Sequence, residues 1–65
     1  MKMSYFEDTD TLYIQFSDGE VFETKDLDEN TLLDVDSNGN MIAITMEHAS
    51  TRADVSNLSV SGIAA

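Results

Sequence analysis

Two segments of this chain repeat with a period of two, and that repeat restricts the fold more than any other feature. In Thr11–Phe16, Leu12, Ile14 and Phe16 fall on one side of an extended chain, with Thr11, Tyr13 and Gln15 on the other. In Met41–Glu47, Ile42, Ile44 and Met46 alternate with Met41, Ala43 and Thr45. Successive side chains of a strand point to opposite faces, so both segments read as half-buried β-strands. Three weaker segments join them. Lys2–Phe6 reads as a first strand and "EDTD" as the turn after it. Thr31–Val35 is a short strand with Leu33 and Val35 on one face. Val21–Leu27 carries Val21, Glu23, Lys25 and Leu27 on one side and Phe22, Thr24 and Asp26 on the other, so neither side is cleanly apolar. Such a strand suits a sheet edge, where charge discourages unwanted pairing.

The turns between these segments have sequence signatures. Asp18-Gly19 and Asn38-Gly39 are strong two-residue hairpin signals, and "DEN" separates the third strand from the fourth. Close turns between short strands predict an antiparallel meander of four to five strands, an α+β but mostly β fold. A single sheet needs a cover for its apolar face. "HASTRADVSNL" is the internal candidate: Ala49, Ala53 and Val55 have loose helical spacing, and Ser50 is placed to cap a short C-terminal helix. A second copy of the chain, forming a homodimer, is the other. One small domain over residues 1–54 is expected, with 55–65 as a flexible tail.

Stability and charge narrow the reading further. A 65-residue domain buries only about 60% of the surface its unfolded chain exposes. There is no cysteine to staple it and no Cys/His cluster for structural zinc. The net charge is -10, from 13 acidic residues against 3 basic ones. Eleven of the 13 acids lie between Glu7 and Asp36. A surface this acidic repels phosphates, which argues against direct nucleic-acid binding, and only Lys2, Lys25 and Arg52 are available to make a basic stacking groove. It favours solubility, cations or a basic protein partner. No stretch approaches the roughly 20 apolar residues of a membrane span. The start has no apolar core of a signal peptide. The expected location is the cytoplasm.

The most suggestive candidate site is "DVDSNGN", Asp34 to Asn40, which starts like a calcium loop. An EF-hand loop takes ligands from positions 1, 3, 5, 7, 9 and 12, with glycine at 6. Asp34, Asp36, Asn38 and Gly39 fit its first half. Position 9 is Ile42 and position 12 is Thr45, where a bidentate carboxylate is required. The flanks alternate as strands rather than helices. A hairpin tip is therefore expected, and weak divalent-cation (calcium) binding through Asp34, Asp36 and Asn38 is the alternative. For catalysis, His48 has Glu47, Ser50, Thr51 and Asp54 nearby, but no nucleophile elbow or oxyanion segment accompanies them. No catalytic residue, cofactor or dedicated metal site is assigned, and the chain is not expected to be an enzyme.

The ordered series "MKMSYFEDTDTLYIQFSDGEVFET", then "LLDVDSNGNMIAITMEHAST" and Arg52, resembles the domain-of-unknown-function 2283 family of small bacterial and archaeal proteins. Tyr5, Leu12-Tyr13-Ile14, Asp34, Asp36, Gly39, Ile44, Glu47, Ala49 and Ser50 fill comparable positions. Departures are Ala43, where members often carry glycine, and Thr45-Met46, where members have Glu-Ile. The resemblance covers about residues 1–52 and leaves Val55 to Ala65 unexplained. It implies a compact β-rich domain with a short helical end and supplies no catalytic residues. It also implies an antitoxin-like role beside a small toxin-like partner. The functional expectation is thus an acidic protein-interaction module that binds a basic protein.

Overall fold

A computed structural model describes residues 1–56. The chain forms five strands: β1 (Lys2–Phe6), β2 (Thr11–Gln15), β3 (Glu23–Asp28), β4 (Thr31–Val35) and β5 (Met41–Met46). All neighbouring pairs are antiparallel, in one sheet of order β1-β2-β5-β4-β3. The expected antiparallel sheet and its five segments are present. The expected uninterrupted meander needs one correction. β1–β2 is a hairpin and β3–β4–β5 is a meander, but β2 pairs with β5 rather than with β3.

The physical reason is burial. A central strand presents both of its faces and both of its edges to other protein groups. β5 offers Ile42, Ala43 and Ile44 to that position, and Ile42 and Ala43 are buried. Every residue of β3 is exposed. Placing β3 beside β2 would bury charge and leave β5 at the rim. Asp18-Gly19 is therefore not a hairpin turn. It belongs to a crossing connection that leaves β2 through Phe16 and Ser17, whose N–H groups both donate to the Ile42 carbonyl (2.7 and 3.3 Å). The connection rejoins the sheet where Phe22 N–H donates to the Val35 carbonyl at 2.8 Å. Gly19 is small here because of the side chain beneath it: a Cβ would stand 2.8 Å from Ile42 Cδ1.

Cross-strand register defines the apolar face. Leu12 lies opposite Tyr5 and Met46, and Ile14 opposite Met3 and Ile44. Ile44 in turn opposes Leu33, and Met46 opposes Thr31. Leu12, Val35, Ile42, Ala43 and Ala49 are the buried apolar residues, whereas Ile14, Leu33, Ile44 and Met46 are half-buried. Each fully buried large side chain contributes about 1.5–3 kcal/mol, so this thin core leans on polar ties as well. A register shift between Asp34 and Val35 leaves Ile42 as an extra residue in β5. Bulges of this kind bend a strand locally.

The expected C-terminal helix is a single 3-10 turn, Ala49–Thr51. Ser50 is not its cap; His48 occupies that position, in a left-handed conformation (φ 55°) and with no side-chain capping bond. Ser, Thr and Asp side chains compete for backbone groups and make the segment a poor helix former. Its hydroxyls are used that way: Thr51 Oγ1 donates to the His48 carbonyl at 2.9 Å, and Ser56 Oγ to Asp54 Oδ1 at 2.7 Å. Of the expected tail, Val55 is half-buried, and residues 57–65 lie outside the described residues.

Candidate functional site

Three acidic features organise the molecule, and each uses carboxylates differently. The first is the corner at Asp10, after β1. Asp10 adopts φ 53°, a left-handed conformation that Asp tolerates better than most residues. From there its oxygens reach in two directions. Oδ1 accepts from the Tyr5 hydroxyl and from Ser50 N–H (3.0 Å), and Oδ2 accepts from Ser50 Oγ at 2.7 Å. The Asp10 carbonyl accepts from Ala49 N–H at 2.9 Å. One aspartate thus ties β1 to a segment 40 residues away and seats Ala49 in the core. The Tyr5 hydroxyl, then the Ser50 hydroxyl, hold the Asp10 carboxyl below its ordinary pKa, and His48 adds a smaller favourable charge. The same Asp10 bond, with some desolvation, raises the Tyr5 phenol above 10.0.

Asp10 was not among the sequence candidates. The resemblance had singled out Tyr5, Ala49 and Ser50, and these converge on it. The available signal was an aspartate in a turn after a tyrosine strand, which names no partner. Ser50 Oγ donates to a carboxylate, and among the described residues no hydrogen bond joins the His48 side chain to it. The hydroxyl is therefore held as a structural donor.

The second feature is the Asp34–Asn40 tip between β4 and β5. Asp36 Oδ1 accepts from Asn38 N–H (2.9 Å) and Asn40 N–H (2.8 Å), while Oδ2 accepts from Asn40 Nδ2 (3.0 Å). Gly39 sits at φ +83° with open space around it. The loop is a hairpin whose aspartate replaces missing backbone partners, as an Asx turn does. These donors, the Asn40 amide first, lower the Asp36 pKa. Asp34 belongs to β4 and accepts from Thr24 Oγ1 at 2.6 Å. The two aspartates of the calcium expectation thus serve different partners, and no group of three or more His, Cys, Asp or Glu side chains placed to hold a metal occurs among the described residues.

The third feature is the acidic edge. Among the described residues β3 pairs only with β4, so its other side is a sheet edge there. Its residues and their flanks include Glu20, Glu23, Asp26, Asp28 and Glu29, against one Lys25. Asp28 is the paired member: Arg52 reaches its Oδ2 at 3.5 Å and also donates to Thr31 Oγ1 (2.7 Å), the Asn30 carbonyl (2.9 Å) and the Glu47 carbonyl (3.1 Å). The Asn30 N–H, with help from Thr31 and Arg52, lowers the Asp28 pKa. Arg52 acts as a clasp between the β3–β4 turn and the end of β5. Val21, Phe22 and Leu27 lie along the same edge and are 50%, 72% and 56% exposed.

The described molecule is a single antiparallel sheet closed at one end by a crossing loop and at the other by an aspartate-anchored 3-10 turn. The family model described as "Protein of unknown function (DUF2283)" matches residues 2–50, and the chain belongs to that family. No curated protein and no solved structure matches the chain.

Proposed function

We propose that this protein is a non-enzymatic interaction module, antitoxin-like, that neutralises a basic protein partner in the cytoplasm. The observation that carries the reading is the fully exposed β3 edge, where uncompensated carboxylates and large apolar side chains occur together. Carboxylates alone serve solubility. Exposed apolar side chains are costly in water and are concentrated where partners dock. Charge complementarity then selects the partner and speeds its arrival. The net charge of -10 supports a strongly basic partner and disfavours nucleic acid.

The test is affinity capture of native lysate on the immobilised chain at low and at high salt. The expected result is one small basic protein, retained stoichiometrically at about 50 mM salt and released at about 500 mM, because the Debye length shrinks severalfold over that range. Retention of no basic protein at low salt overturns the reading.

A further inference from the structure

The geometry points to the outer edge of β3 as a docking site for an extended basic segment of a partner, which joins the sheet as a sixth strand. This rests on the interaction-module reading and specifies its mechanism. An edge strand presents a row of unpaired N–H and C=O groups that can template a further strand. Among the described residues the sheet has two such edges, β1 and β3. They differ in charge. The residues of β1 are Lys2, Met3, Ser4, Tyr5 and Phe6, with no acid among them. β3 and its flanks hold Glu20, Glu23, Asp26 and Glu29 without an ion pair among the described residues, whereas Asp28 pairs with Arg52.

That pattern decides the occupant. A second copy at the β3 edge would set these acids against their own kind, and directly opposed like charges destabilise a strand pair. A strand bearing Lys or Arg reverses the sign of the same terms. Successive residues of β3 alternate between the two faces, so Glu23 lies on one face and Asp26, with Phe22, on the other, and a docked strand meets both acids by carrying basic side chains three positions apart, with apolar ones between them. The register shift between Asp26 and Asp28 interrupts regular pairing there, so the usable edge runs from Phe22 to Asp26. A docked segment of about five residues fits that length.

The probe is a synthetic peptide of Lys-Lys-Val-Val repeats, which places Lys on both faces of an extended strand, added to the full 65-residue chain and followed by amide chemical shifts. The expected result is saturable binding, with the largest shifts at residues 21–27 and slowed exchange of the outward amides of β3. The double variant Glu23→Lys/Asp26→Lys weakens binding by roughly tenfold or more, since each exposed site contributes a screened charge pair. A peptide N-methylated at alternate residues, with charge unchanged, fails to bind. Equal binding of the N-methylated peptide overturns strand addition yet leaves a basic-partner function standing. Shifts centred on β1, or no binding of the unmodified peptide, also overturn the inference. Lysate capture tests the function independently of either result.

Discussion

Asp10 and Asp36 are both turn aspartates that accept several hydrogen bonds, yet they do different work. Asp36 bonds within its own turn, to residues at most four positions away. Asp10 bonds to Tyr5 on one side and to Ser50, 40 residues on, at the other. A local carboxylate shapes a loop that its strands would largely form without it. A long-range carboxylate closes the fold, and its loss releases the segment carrying buried Ala49. The contrast is energetic as well as topological, because closing a long loop costs entropy that only a held contact offsets.

The largest effect is expected for Asp10→Ala. It removes the acceptor for Tyr5 and Ser50 and places alanine at φ 53°. The melting temperature should fall on the order of 10 °C, with loss of amide protection at Ala49 and Ser50. An equal fall for Asp36→Ala would break the distinction between the two turns.

Acid should act through both aspartates and through Asp28. Their folded pKa values lie below the ordinary 3.8, so their stabilisation is complete above that value and is lost as pH falls through the lowered ones. Thermal melts from pH 6 down to about pH 2 should show stability falling from roughly pH 4. Asp10→Asn, whose side chain does not titrate, should flatten that fall.

Tyr5→Phe sharpens the comparison from the alkaline side. The Tyr5 phenol is raised above 10.0, so its contribution is complete below pH 10 and is lost as pH rises through the raised value. The variant should lose a few degrees of melting temperature at pH 7 and show a weaker alkaline decline than the parent. Unchanged alkaline behaviour would count against the Tyr5–Asp10 bond.

Gly39→Ala probes the local turn. A Cβ meets nothing within 4 Å there, but φ is +83°, so the cost is conformational and about 1 kcal/mol. Amide exchange should quicken at Asn38 and Asn40 and leave Ser50 unchanged. Smallest of all is the response to calcium. Millimolar calcium should move the Asp34–Asn40 amides weakly and without saturation, since the Asp36 oxygens already accept from the turn. A saturable titration would restore the calcium-binding alternative.

Much of this molecule was legible in its residues. Strand positions followed from alternation at Leu12-Ile14 and Ile42-Ile44-Met46, because a strand's period is a property of the local backbone. The hairpin tip followed from Asn38-Gly39, because the φ requirement belongs to the turn itself. The edge position of β3 followed from its mixed charges. The 3-10 turn in place of a helix was not legible, since the spacing of Ala49, Ala53 and Val55 carries no information about the hydrogen bonds of Ser50 and Thr51.

By itself the sequence determined five short strands, an acidic surface and the place of the β4–β5 turn, all of which depend on neighbours along the chain. Only the tertiary structure decided that β5 lies beside β2, that Gly19 passes over Ile42, and that Asp10 holds Ser50. Alternation states which side of a strand is apolar and is silent on which strand comes next to it. That choice is made by the burial of the whole sheet, which places Ile42 and Ala43 inside and the charges of β3 at the rim.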